Sequence, residues 1–191
     1  MFKFRVLPIA PHSPWRVAMG VCIALLTITP GVVLAEELAP VAELRLYPTG
    51  QIVGGGVQTD VGNTGQAGVL IVYNRARRGD NGRHADERGG GFGIGTFYDH
   101  YLASNRLGWS LGGRVDVFAL GIDYRDGTRQ GRSDVIVLQP TVGAAYSVPV
   151  DSNRLVARFG LDVGAELNAR TRGAEVGKGA IVLFSVRLSS R

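Results

Sequence analysis

The 191-residue chain carries 21 basic and 16 acidic residues, 28 glycines and one cysteine, and 45% of its residues are hydrophobic. Three basic residues and the cysteine, Cys22, lie within the first 35 positions, so residues 36–191 have a formal net charge of only +2. This near balance of charge argues against a nucleic-acid partner. Because residues 36–191 contain no cysteine, they can form no disulfide, thiolate nucleophile or cysteine-ligated metal site. We also expect no cofactor.

Residues 1–35 have the layout of a secretory signal peptide. The first 16 residues include Lys3, Arg5 and Arg16 and no acidic residue. The uncharged stretch "VAMGVCIALLTITPGVVLA" follows, and it closes on small residues before "EELAP". The apolar run is short for a membrane-spanning helix, and a Pro-Gly pair interrupts it. The pattern predicts a signal peptide at 1–35, cleaved after Ala35, and a single domain at 36–191.

Eight segments of that domain are predicted to be β-strands, because each is apolar-rich, tends to alternate and is bounded by turn-forming residues. In chain order they are "AELRLYP" (42–48), "QIVGGGVQT" (51–59), "AGVLIVYNRA" (67–76), "GFGIGTFYDHYL" (91–102), "WSLGGRVDVFALGIDY" (109–124), "VIVLQPTVGAAYSV" (135–148), "LVARFGLDVGAELNA" (155–169) and "AIVLFSVRLS" (180–189). Pro48 and Gly50 separate the first two. The fifth loses its alternation near Phe118, which predicts a β-bulge. The predicted class is all-β.

The segment at 155–169 alternates most cleanly. Leu155, Phe159, Leu161 and Leu167 share an apolar face, and the opposite face carries both signs of charge. The strand from Leu155 to Leu167 extends about 43 Å, which at a tilt of ~45° covers roughly 30 Å, the thickness of a membrane's apolar core. Such strands are longer than the roughly five or six residues typical of soluble proteins. We therefore expect the apolar face to contact lipid.

The connections between the predicted strands alternate in length. Short turns ("ASNRLG", "PVDSNR") alternate with longer, charged, glycine-rich stretches ("RRGDNGRHADERGGG", "RDGTRQGRSD", "RTRGAEVGKG"). This asymmetry predicts tight turns and both chain termini at one end, and long loops at the other. Aromatic residues near the predicted strand ends suit two membrane interfaces: Tyr101, Trp109 and Tyr146 by the short turns, and Tyr73 and Tyr124 by the long loops.

Closing eight strands leaves an interior just wide enough for side chains to fill it. Charged residues on the polar faces of three predicted strands are expected to meet there: Arg114, Asp116, Arg158, Asp162, Glu166 and Arg187. The two signs are equal in number, and unpaired interior charges are costly. The pattern predicts one mixed-sign network that plugs the lumen and fixes the strand register. A narrow polar pore is the alternative, and eight strands argue against a wide one.

With its signal peptide, eight candidate strands, unequal loops and C-terminal segment "AIVLFSVRLS", the chain resembles the small outer-membrane β-barrel proteins of Gram-negative bacteria. It carries no family-specific motif, and its last aromatic residue, Phe184, lies within the last predicted strand. The resemblance implies an eight-stranded antiparallel up-and-down transmembrane β-barrel in the outer membrane. It also implies a non-enzymatic monomer that contacts outer-membrane lipid and lipopolysaccharide, is inserted by the barrel-assembly machinery, and is structural or interacts through external loops.

Two other functions stay open at this point. A soluble secreted or periplasmic β-barrel that binds a small apolar ligand would turn the apolar face inward, with Arg158 and Asp162 in solvent. An outer-membrane lipid-modifying enzyme would need a catalytic pair, and some such barrels use a His and a Ser two residues apart on one strand. Here His100 and Ser104 are four apart, and Asp99 is predicted to face away from His100.

The remaining candidate motifs are weak. His84 lies beside Asp86 and Glu87, too few converging ligands for a metal, and is expected to be solvated. The glycine runs "VGGGV" and "GGGFGIG" lack the spacing of a dinucleotide loop and are expected to ease packing in the barrel wall. Loop arginines are expected to be solvated, with contact to lipopolysaccharide phosphates as the alternative.

Overall fold

The structure, a computed structural model, describes residues 37–79, 81–150 and 155–190; the predicted signal peptide at 1–35 lies outside them. The strands are β1 (Ala39–Tyr47), β2 (Gly50–Val61), β3 (Gly65–Gly79), β4 (Ala85–Tyr101), β5 (Gly108–Asp126), β6 (Arg129–Val150), β7 (Leu155–Arg172) and β8 (Gly179–Ser190). Each pairs antiparallel with its sequence neighbours, and β1 pairs with β8 to close the barrel. The all-β, eight-stranded, antiparallel up-and-down barrel is therefore confirmed.

The barrel has two distinct ends. At the terminal end β1 begins and β8 ends, and β2 connects to β3 and β4 to β5. At the far end β1 connects to β2, β3 to β4, β5 to β6 and β7 to β8. The two longest strands, β5 with 19 residues and β6 with 22, form a hairpin whose turn, residues 127–128, lies at the far end. Gly127 has φ of +59°, which favours glycine in such a two-residue turn.

The predicted contrast between short turns and long loops is wrong. Most of the charged stretches predicted as loops are strand: β6 begins at Arg129, β4 at Ala85, and β7 continues to Arg172. The far-end connections are residues 48–49, 80–84, 127–128 and 173–178, and those described at the terminal end are 62–64 and 102–107. The backbone ladder continues past the alternating apolar pattern because paired N–H and C=O groups are satisfied there whatever the side chains.

The predicted β-bulge near Phe118 is also wrong. The register of β5 with β6 runs unbroken from Gly108 to Asp126. The sequence loses its alternation here because the inward face of β5 changes from polar residues to Phe118, Leu120 and Ile122, while the outward face stays apolar.

The barrel interior is packed in layers. Toward the terminal end lies a cluster of charged side chains, and beyond it buried apolar side chains from several strands fill the centre. Leu70, Phe118 and Leu183 are the least exposed of these, at 0%. A second charged group follows at the far end. In the described residues, no helix is long and apolar enough to cross a membrane.

Candidate functional site

The outer surface of the barrel carries an apolar belt, and charged side chains from several strands are buried in its interior. All eight strands contribute exposed apolar side chains, for example Leu44, Val53, Ile71, Ile94, Leu111, Val142, Leu161 and Phe184. On β7, Phe159 and Leu161 are 43% and 59% exposed, whereas Arg158 is 5% exposed. This polarity is the reverse of that of a soluble globular domain, in which large apolar side chains face inward and charged ones face solvent.

The charged cluster toward the terminal end brings together side chains from β1, β4, β5, β7 and β8. Asp116 contacts Arg45 at 2.9 Å and Arg114 at 2.7 Å, and Arg114 also pairs with Glu43. Arg187 links Glu43, at 3.5 Å, to Asp99, at 2.6 Å. These are buried, charge-assisted contacts, which are stronger than neutral hydrogen bonds.

The chain of contacts ends at Arg158, whose guanidinium lies 2.6 Å from the second oxygen of Asp99. The guanidinium of Arg187 also stacks over Phe97, 3.6 Å from the ring centroid. Asp99 therefore bridges two arginines from β7 and β8, neither of which neighbours β4 in the sheet. This cluster connects strands across the lumen as well as around the wall.

Of the six predicted interior charges, four lie in this cluster: Arg114, Asp116, Arg158 and Arg187. Asp162 faces inward on β7 but is only half-buried, and it accepts a hydrogen bond from Ser185 Oγ at 3.1 Å. Glu166 lies in a second charged group, at the far end of the barrel. The single predicted network is thus divided into two groups.

The second group lies at the far end and is centred on Arg78. Its guanidinium contacts Glu166 at 2.8 Å and Glu87 at 3.4 Å. Glu87 also accepts backbone N–H bonds from Arg83, His84 and Gly177, from the connections flanking β4 and β8. The Glu87 carboxylate therefore pairs with an arginine inside the barrel and also holds, by hydrogen bonds, the two connections that cover the far end.

The functional residues missed in the sequence are Glu43, Arg45, Asp99, Arg78 and Glu87. The first two alternate with Leu44 and Leu46 on β1, and Asp99 shares the inward parity of Phe97 and Tyr101. The alternation of inward and outward residues along β1 and β4 was therefore the signal that could have identified these three residues as inward-facing. Arg78 and Glu87 lie in a stretch predicted as a loop.

Of the five aromatic residues predicted near the strand ends, three face outward there, as lipid interfaces would require. Trp109 and Tyr146 face outward near the terminal end and pack edge to face, with ring centroids 5.3 Å apart. Tyr73 faces outward toward the far end and packs edge to face on Phe92. The predictions for Tyr101 and Tyr124 are wrong, since both have the inward parity of their strands.

The two histidines singled out earlier have different surroundings. His100 is exposed on the outer face of β4, and Asp99 points into the lumen, so they lie on opposite sides of the wall as expected. His84 is not simply solvated: Nδ1 lies 2.6 Å from the Asp126 carboxylate, Nε2 lies 2.8 Å from the Glu175 carbonyl oxygen, and the ring stacks on Tyr124. Among the described residues, no group of three or more His, Cys, Asp or Glu side chains forms a metal site.

Similarity to known proteins is found among solved structures. No protein-family model matches the chain. No curated protein matches it either. Among solved structures, the chain is similar to the N-terminal β-barrel domain of Pseudomonas aeruginosa OprF, with 13% identity, a TM-score of 0.49, and coverage of 80% of this chain and 96% of that one. It is also similar to Neisserial surface protein A, with 14% identity, a TM-score of 0.46, and coverage of 80% and 94%.

Proposed function

We propose that this chain is a non-enzymatic integral outer-membrane β-barrel protein, structural or surface-interacting, whose eight strands cross the bilayer. The observation that carries the proposal is the inverted polarity of the wall: Phe159 and Leu161 face out, while Arg158 and Asp99 pair inside. A closed barrel can cross lipid because every backbone N–H and C=O of the wall is paired between strands. The exposed apolar side chains are then the surface that lipid covers.

The same observation disfavours a soluble barrel that binds an apolar ligand. Such a protein needs an apolar cavity inside and a polar exterior, and it would place Arg158 in solvent. Here Arg158 is buried, and all eight strands present exposed apolar side chains on the exterior. In water this surface would be far larger than the apolar patches that soluble monomers tolerate.

The packed interior favours a structural or surface role over transport through the lumen. An apolar layer that includes Leu70, Phe118 and Leu183 lies between the two charged groups, and these side chains have no exposed surface. Eight-stranded barrels have room for side chains rather than for a wide channel. A lipid-modifying activity is not favoured, because His100 and Asp99 lie on opposite sides of β4.

The partners follow from this placement. We expect the belt to contact outer-membrane lipid, and the far end to meet the lipopolysaccharide leaflet with the terminal end in the periplasm. Export would use the predicted signal peptide, and insertion the barrel-assembly machinery. Because β1 pairs with β8, the barrel has no free strand edge, and we expect a monomer.

Fractionation tests the proposal. Expressed in a Gram-negative host, the full chain is expected in the outer-membrane fraction, released by detergent but not by carbonate washing. Unheated, the folded barrel is expected to migrate faster on a denaturing gel than after boiling. A soluble protein recovered from a periplasmic wash without detergent would contradict the proposal.

A further inference from the structure

Three arginines form a basic patch on the outer face of β3 and β4 near the far end: Arg75, Arg77 and Arg88. All three are exposed and have the outward parity of their strands. In the sheet register Arg77 lies directly opposite Arg88, and Arg75 lies opposite Gly90. Two like charges therefore face each other across one strand pair, with a third a single outward position away.

This arrangement is unfavourable without a counter-ion, because like charges directly opposite each other in an antiparallel pair repel. Among the described residues, Arg88 makes an exposed contact of 3.2 Å with Asp86, and Asp123, which pairs with Arg132, lies opposite Arg88 on β5. Within the described part of the chain, the guanidinium groups of Arg75 and Arg77 make no ion pair. Arg132, at the same end, differs: it lies 3.6 Å from both Asp123 and Asp134.

The basic patch borders the apolar belt directly. Tyr73 and Phe92 occupy the next outward positions toward the middle of the barrel and pack edge to face, with ring centroids 5.0 Å apart. Phe92 is 62% exposed and Ile71, one outward position further, 67%. The Tyr73 side chain lies across Gly90: a Cβ at Gly90 would be 2.8 Å from its hydroxyl. The hydroxyl thus points toward the arginines while the ring stays in the belt, as amphipathic side chains do at a membrane interface.

We propose that the basic patch binds the phosphate groups of lipopolysaccharide, with acyl chains lying along Ile71 and Phe92. This inference rests on the proposed function, which brings the far end to that leaflet. Guanidinium groups hold phosphate oxygens in bidentate pairs, and a phosphate between Arg77 and Arg88 turns their repulsion into a shared attraction. Because Gly90 has no side chain, the Tyr73 hydroxyl lies over the wall opposite Arg75, where it can donate a hydrogen bond to a headgroup.

The charge pattern favours a phosphorylated glycolipid over a zwitterionic phospholipid. A phosphatidylethanolamine headgroup would bring an ammonium group toward a patch that already has an excess of positive charge. Exposed phosphates on an acylated sugar present only negative charge to the arginines. Each basic side chain near a membrane surface contributes roughly 1 kcal/mol to attraction by anionic lipid, which is about fivefold in affinity.

The test measures binding of fluorescently labelled lipopolysaccharide to the folded barrel in neutral detergent micelles. The patch variant carries Arg75→Gln, Arg77→Gln and Arg88→Gln. The matched control carries Arg129→Gln, Arg170→Gln and Lys178→Gln, which remove the same charge from exposed far-end positions outside the patch. Each protein is first shown to be heat-modifiable and to insert into vesicles, so failure of the proposed function appears before any binding is measured.

We expect the patch variant to bind lipopolysaccharide on the order of a hundredfold more weakly than the unmodified protein, and the control to bind within severalfold of it. Enzymatically dephosphorylated lipopolysaccharide is expected to bind the unmodified protein about as weakly as the intact lipid binds the patch variant. Equal loss in the patch variant and the control would overturn the proposal, as would equal binding of the dephosphorylated lipid. Complete displacement by an equal concentration of inorganic phosphate would also overturn it, since the site would then take the free anion.

Discussion

Replacing Asp99 with asparagine is expected to lower the free energy of unfolding by about 3–5 kcal/mol, because it leaves two buried arginines without their shared partner. The Asp99 carboxylate lies 2.6 Å from both Arg158 and Arg187, which are 5% and 4% exposed. Asparagine keeps the volume and removes the charge, so the loss reports electrostatics rather than a cavity. The measurement is urea unfolding of the barrel in lipid vesicles.

The control for this variant is Asp134→Asn, since the Asp134 side chain is 63% exposed and lies 3.6 Å from Arg132. An exposed pair of this kind contributes about 0–1 kcal/mol. Adding Arg158→Gln to Asp99→Asn is expected to recover part of the loss, because it removes one of the two orphaned charges and Arg187 retains Glu43. If Asp99→Asn and Asp134→Asn unfold at the same urea concentration, the buried cluster does not stabilise the barrel.

Replacing Leu161 with arginine is expected to cost about 2–4 kcal/mol in a bilayer and to reduce the yield of inserted protein. Leu161 is 59% exposed on the apolar belt, well inside the length of β7. A cation there must leave water for hydrocarbon or distort the lipid around it. The measurement is the folded fraction on an unheated gel after assembly into vesicles, together with urea unfolding.

Leu155→Arg is the matched control, because it makes the same change on the same strand and face at the first residue of β7. Near the interface the cost is expected to fall to about 0–1 kcal/mol. Equal tolerance of arginine at Leu161 and Leu155 would mean that the belt does not face hydrocarbon.

The fold was predictable from the sequence because β7 and β8 alternate so regularly. Leu161 and Phe184 lie outward and Arg158 and Arg187 inward, as a period of two requires. The strand ends were less predictable. Beyond the apolar belt both faces become polar, so the stretch around Arg129 loses its hydrophobic signal although its backbone stays paired.

The pairing inside the lumen was not predictable. Partners such as Arg158 with Asp99 come from strands that are not neighbours, and their contact depends on closure and on the relative heights of all the strands. Glu166 has the same parity as Arg158 but lies further toward the far end, past an apolar layer, where it meets Arg78. The two-residue period of a strand shows on which side of the wall a residue lies, but it does not show how high in the barrel the residue lies.

The most direct test of the central claim, that the apolar belt faces lipid, is a spin-label measurement on β7. Residues 36–191 contain no cysteine, so Phe159→Cys, Leu161→Cys and Val163→Cys each create one labelling site. In vesicles, all three labels are predicted to collide more with oxygen, which concentrates in hydrocarbon, than with a water-soluble nickel chelate. A label at Glu175→Cys, whose side chain is 60% exposed beyond the end of β7, is predicted to show the reverse. Nickel accessibility at Leu161→Cys equal to that at Glu175→Cys would contradict the account, because the belt would then lie in water.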